Sequence, residues 1–122
     1  MITGEILKLI EENTLGLVAT VTPDGAPSVS PKGTQVVLDE THIAFGNIRS
    51  PQTVRNIKAN PLVELNFIDV FARKAARLSG SAVYHERCSS AFDEVISQFG
   101  KWGDFVGRMR GVVVVEVTSA QL

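Results

Sequence analysis

The stretch IAFGNIRSPQTVRNIKANPLV, running from Ile43 to Val63, decides how this chain is read. It opens in an apolar strand, His42 to Phe45, passes through Gly46 and Asn47, and presents Arg49 just ahead of Ser50-Pro51. A serine can cap free amides, and proline at a first helical position forfeits no hydrogen bond, so a helix is predicted from Ser50-Pro51 to about Ala59. Asn60-Pro61 ends it, because Asn tolerates a left-handed position after the last turn and Pro cannot continue the helix. An arginine beside a helix N-terminus that carries Ser50, Gln52 and Thr53 suits a phosphate: free amides, their partial positive charge and a guanidinium act together. The same spacing also fits a plain helix cap with a solvated arginine, and the residues alone leave both readings open.

Upstream, Ile2, Ile6, Leu9 and Ile10 recur at helical spacing and predict an amphipathic helix ending near Asn13. Leu15 to Val21 reads as a strand that turns at Thr22-Pro23-Asp24-Gly25, where Pro presets φ and Gly supplies a left-handed position. The return strand carries Ser28, Val29 and Ser30 and meets Pro31, which lacks an amide donor and must break the ladder or occupy an edge. Gln35 to Leu38 and His42 to Phe45 follow around Asp39-Glu40, giving four strands that read as an antiparallel meander.

Downstream, Leu62 to Val70 and Ala76 to Tyr84 form two longer strands joined by a loop containing Arg73 and Lys74. Ser90 with Asp93 resembles a capping arrangement, and Phe92, Val95, Ile96 and Phe99 make the stripe of a second covering helix. Gly100 to Gly111 is glycine-rich and assigns no element, and Val112 to Val117 is a buried final strand. Six or seven short strands, few helices and no strand-helix alternation give a mainly β fold: an antiparallel split β-barrel whose ends the helices cover.

The chain of 122 residues fits one domain, and 44% hydrophobic with 20% charged residues supports a packed core. A net charge of −1 supplies no global field toward nucleic acid or anionic lipid. The single cysteine, Cys88, excludes an intrachain disulfide, no signal-like start is seen, and no apolar run nears the roughly 20 residues that span a bilayer. A cytoplasmic protein without a membrane partner is expected.

Two further basic groups accompany Arg49. In Ser28-Val29-Ser30-Pro31-Lys32-Gly33 alternate hydroxyls share one face and end beside a lysine, which can read a polar ring edge or be an ordinary edge strand. Arg73, Lys74 and Arg77 follow Asp69, whose default role is a surface ion pair. Three positive clusters on a nearly neutral chain suggest that some converge on an anion. His42 and His85 lack metal-ligand spacing and Cys88 lacks a nucleophile motif, so no metal site and no catalytic residue is assigned. Trp102 can cover a flat ligand or pack against a helix, and packing is the expected role.

Together the segments Leu15 to Gly33, Ile43 to Val63 and Ile68 to Ala82 resemble the pyridoxamine 5′-phosphate oxidase-like, FMN-binding split-barrel family over nearly the whole chain, and in length the small bacterial FMN-binding proteins. The resemblance implies a homodimer with FMN between subunits. By position, Arg49, Ser50, Gln52 and Thr53 would meet its phosphate, Ser30, Pro31 and Lys32 would run along the flavin, and Gly46 and Asn47 would border the ring. Lys74 and Arg77 match a basic strand that approaches the cofactor from one subunit or the other. Gln52 stands where relatives offer lysine. The C-terminal segment with which the name-giving enzyme recognises pyridoxamine phosphate has no counterpart here, so that reaction is not expected. The implied function is an FMN-dependent oxidoreductase or flavin redox carrier whose cofactor does the chemistry, with Lys32→Met shifting the redox midpoint more than the affinity. A deazaflavin coenzyme or haem in the same barrel, or a non-catalytic dimeric binding module, are the alternatives.

Overall fold

The computed structural model describes residues 1–122, apart from the side chain of residue 101. Seven strands, β1 (Gly16–Val21), β2 (Pro27–Lys32), β3 (Gln35–Asp39), β4 (His42–Asn47), β5 (Leu62–Asp69), β6 (Lys74–Glu86) and β7 (Gly111–Gln121), form one sheet. The helices are α1 (Gly4–Glu12), α2 (Pro51–Ala59), α3 (Ser90–Ile96) and α4 (Gly103–Val106), with a 3₁₀ segment, Ser97–Trp102, between the last two. The strand order is β2-β1-β5-β6-β7-β4-β3, and every neighbour is antiparallel.

This order corrects the expected meander. β1–β2 and β3–β4 are hairpins, but β2 and β3, adjacent in sequence, are the two edges of the sheet. Pro27 and Pro31 are four residues apart, so their missing N–H groups fall on the same side of β2, which only an edge can accommodate. The sheet curls until these edges approach, and Gln35 crosses the gap: its Nε2 donates to the Lys32 carbonyl at 2.8 Å.

Inward residues alternate along each strand and fill the barrel with Val18, Phe45, Leu65, Phe67, Leu78, Val113 and Val115. Leu9 and Ile10 of α1 and Ile57 of α2 join this core from two helices that cover it. The α3–α4 region does something different from the expected end-covering. Phe92, Phe99 and Met109 pack on Ala44 and Val112, which face outward from β4 and β7, so this region covers a face of the sheet and β4 is buried on both sides.

Local signals shifted by small amounts. The cap of α3 is Ser89, one residue before the expected Ser90, and its hydroxyl accepts from Phe92 N at 3.1 Å. Asn60 is extended (φ −146°, ψ 112°), not left-handed; its Oδ1 accepts from Leu62 N, which starts β5 directly. Ser50 precedes α2 as expected, but its side chain makes no capping bond. Strand β6 begins at Lys74, so only Arg73, at φ +57°, remains in the tight turn. Asp69 ties that turn through Phe71 N and Ala72 N instead of pairing with Arg73 or Lys74. No described helix is long and apolar enough to cross a membrane.

Candidate functional site

Helix α2 lies against the inward faces of β1 and β2, where the sheet carries hydroxyls in place of aliphatic groups. Register places Thr20 opposite Ser28, Val18 opposite Ser30 and Gly16 opposite Lys32, so Ser28, Ser30 and Lys32 share the inward side. On α2, Thr53, Asn56 and Ile57 are the buried residues. The helix is therefore docked by polar pairs. Asn56, fully buried, donates to Thr20 Oγ1 at 3.0 Å and accepts from Gln52 Nε2 at 2.7 Å, while the Ser30 and Thr53 hydroxyls lie 3.3 Å apart.

Lys32 ends this row. It is 7% exposed, and its ammonium donates to the Ser50 hydroxyl at the mouth of α2. Among the described residues no carboxylate pairs with it. Burial accordingly pulls its pKa below the ordinary lysine value. A buried cation with only a neutral partner, next to the free amides of a helix start, is a locus that a phosphate or carboxylate would stabilise.

A groove of about 360 Å³ opens beside this cation. It is lined by Pro31, Lys32 and Gly33 from the end of β2 and the residues after it, by Gly46, Arg49 and Ser50 from the end of β4 and the turn after it, and by Trp102 and Phe105. Gly46 leaves room here for Met109, whose methyl would lie 2.4 Å from a Cβ at this position. Trp102 combines packing on the α3 core with a place on the groove wall. Asn47 is buried alongside, and its Oδ1 is without a hydrogen-bond partner among the described residues.

Of the residues singled out from sequence, Ser30, Pro31, Lys32, Gly46, Asn47, Arg49, Ser50 and Thr53 are gathered around α2 and this groove. Two intrachain contacts here were not anticipated from sequence. Gln52 is turned along its own helix, its amide nitrogen on Asn56 and its oxygen accepting from Arg55 Nη2 at 2.6 Å. The Lys32 ammonium donates to the Ser50 hydroxyl at the start of α2. Within one chain the third basic group does not converge: Lys74 pairs with Glu5 of α1 at 2.8 Å, and Arg77 is exposed on β6 at the register of Asn66.

Sequence reading missed Phe105, which sits in the unassigned glycine-rich stretch, and Arg55, Lys58, Tyr84 and Arg110, which line a second groove behind Arg49. Arg49, Arg55 and Lys58, spaced by multiples of three residues with Gln52 between the first two, were a weak signal for the latter. His42 and His85, distant in sequence, share a shallow outer groove with Glu116, and His42 is flanked by Asp39 at 2.9 Å and Glu116 at 3.7 Å. Among the described residues no group of three His, Cys, Asp or Glu side chains could hold a metal.

Comparison with known proteins completes the picture. The sequence profile of the pyridoxamine 5′-phosphate oxidase family matches residues 2–122. No functionally curated protein matches the sequence. Among solved structures, a Lactobacillus delbrueckii protein described as a candidate pyridoxamine 5′-phosphate oxidase is 29% identical, covering 98% of this chain and 93% of that one, with a TM-score of 0.83. HupZ of Group A Streptococcus is 28% identical over 98% and 92% of the two chains, with a TM-score of 0.82. Sharing the fold alone are an F420 reductase (24% identity, TM-score 0.73), the haem storage protein HutZ of Vibrio cholerae (24%, 0.71) and an FMN-binding protein of Syntrophomonas wolfei (10%, 0.73), each covering at least 93% of this chain. With the fold, the strand-to-helix turn and the profile match in agreement, the chain belongs to the pyridoxamine 5′-phosphate oxidase family.

Proposed function

We propose that this protein binds FMN non-covalently, as a homodimer, and serves as an oxidoreductase or flavin redox carrier. The observation that carries the reading is the unpaired, buried Lys32 ammonium on Ser50 at the start of α2, with Arg49 beside it and an aromatic-walled groove adjoining. Lys32, Arg49, Ser50 and the first amides of α2 would hold the phosphate. Pro31, Gly33, Trp102 and Phe105 would face the flat ring and exclude water from it. FMN, once bound, supplies the electron transfer; the chain orients it and sets its electrostatic surroundings.

The dimer rests on a separate feature. The outer faces of β2, β1, β5 and β6 are left bare by the helices and carry Leu17, Val29, Leu62 and Val83, the last three more than half exposed. Arg77 lies on this face, so a second copy docked there is the route by which it could reach a groove. The dimer and that route are parts of the proposal.

A deazaflavin coenzyme would use the same phosphate locus, and the neighbouring F420 reductase keeps that reading in play. Haem is less favoured, because neither groove beside Arg49 is lined by histidine or cysteine. The deciding measurement is a visible spectrum of the purified protein before and after FMN addition, with the mass of any released ligand. Two flavin bands and saturable uptake, weakened by Arg49→Ala, are expected. A Soret band, a deazaflavin mass, or no uptake of FMN would overturn the assignment.

A further inference from the structure

Behind the Arg49–Ser50 segment, between the outer flank of α2 and the ends of β6 and β7, lies a second groove of about 510 Å³. Four cations line it, Arg49, Arg55, Lys58 and Arg110, against one carboxylate, Glu86. Among the described residues none of the four belongs to an ion pair. They come from three separate parts of the chain: the turn after β4, the helix, and the segment before β7.

Several are held in place. Arg55 is tethered to Gln52 at 2.6 Å, and the Lys58 ammonium stands 5.5 Å from the centre of the half-buried Tyr84 ring. The backbone at Arg110 is fixed by its N–H, which donates to the Asn47 carbonyl at 2.7 Å. Like charges gathered around one concavity repel each other in the free protein. Here they do so on a chain whose net charge is −1, so the surplus is local. The arrangement becomes favourable when an anion with several charges lies among them, each contact then being charge-assisted.

The geometry points to a polyphosphate site: we infer that this groove binds a ligand bearing a diphosphate, with a nucleoside diphosphate as the fitting organic form. One phosphate would leave most of the volume empty and most of the cations unmatched. Three of the four cations have no part in the flavin groove, so the inference goes beyond the cofactor assignment, with Arg49 shared between the two grooves.

The test is calorimetric titration of the full-length chain with inorganic pyrophosphate and with ADP, at constant ionic strength, with sulfate as the simple-anion control. Lys58→Glu and Arg110→Glu are compared with Lys32→Met, with circular dichroism confirming the fold of each. Saturable pyrophosphate binding, one per chain, should weaken tenfold or more in Lys58→Glu and in Arg110→Glu and remain within twofold of the parent in Lys32→Met. FMN uptake should be unchanged in the two glutamate variants. Pyrophosphate binding no tighter than sulfate overturns the inference, as does binding lost in Lys32→Met and kept in both glutamate variants. Tighter binding of ADP than of pyrophosphate supports the nucleoside form, and equal binding supports the diphosphate alone. Failure of FMN to bind while pyrophosphate still tracks Lys58 and Arg110 would sink only the flavin reading.

Discussion

Replacing Lys32 by Met separates what this lysine does for the fold from what it does for a ligand. The ammonium is buried, and its partner is a neutral hydroxyl. In the ligand-free protein its removal relieves a desolvation cost and loses a hydrogen bond to a charged group, opposing terms of about 1–3 kcal/mol each. Apo-stability in urea should therefore stay within about 1 kcal/mol of the parent. FMN binding should lose one charge-assisted contact of about 1.5–3 kcal/mol, an increase in Kd of about 10- to 150-fold. The pH dependence has a definite sign. Burial lowers the folded pKa below the usual lysine value, so between the two the unfolded chain binds more protons and apo-stability rises with pH. FMN binding, which favours the charged form, should instead weaken as pH climbs through the lowered value, and Lys32→Met should flatten both trends. Fluorescence titration of FMN across alkaline pH, with urea unfolding in parallel, measures this. Parental affinity in the variant, or a loss of several kcal/mol in the apo-protein, would refute the reasoning.

Other consequences are open to direct measurement. Asn56→Ala leaves Thr20 and Gln52 without their buried partner and should cost about 1–3 kcal/mol in urea unfolding, with a parallel loss of FMN affinity as α2 loosens. Gly80→Ala would set a Cβ 2.2 Å from the Glu116 carbonyl oxygen at the β6–β7 bulge and should destabilise by about 1–3 kcal/mol, whereas Gly46→Ala meets only the flexible end of Met109 and should cost less. Val29→Glu and Leu62→Glu, on the bare outer face, should convert a dimer to monomers by light scattering; an unchanged mass would count against that face as the interface. The exposed Glu5–Lys74 pair lowers the Glu5 pKa and raises that of Lys74, so its contribution is present at neutral pH, fades as acid protonates Glu5, and fades again above the raised lysine value. Glu5→Gln should abolish the acid part of that profile, and high salt should mute it.

Much of this was legible from residue order. The strand, Arg49, Ser50-Pro51 and Asn-Pro stop located β4, α2 and β5 within a residue or two, because proline and short polar side chains act on their own backbone. Pro31 announced a broken ladder or an edge for the same reason, and the sheet takes the edge. The cap of α3 slipped by one residue because Ser89 and Ser90 are both competent, and only the turn before them selects between the two. The glycine-rich stretch hid Phe105, since its short 3₁₀ and helical turns have no periodicity to read.

The sequence by itself determined the seven strands, the helices before Gly100 and the strand-Arg49-Ser50-Pro51 turn into α2, since these depend on contacts within a few residues or on alternation along one strand. Tertiary structure alone decided that β2 and β3 would be opposite edges, that Lys32 would turn inward onto Ser50, that Gln52 would spend its amide on its own helix, and that Arg55, Lys58 and Arg110 would face one concavity. Those outcomes depend on closure of the sheet and on which face α2 buries. Both are settled by packing between residues far apart in the chain, where neither spacing nor composition carries the distance.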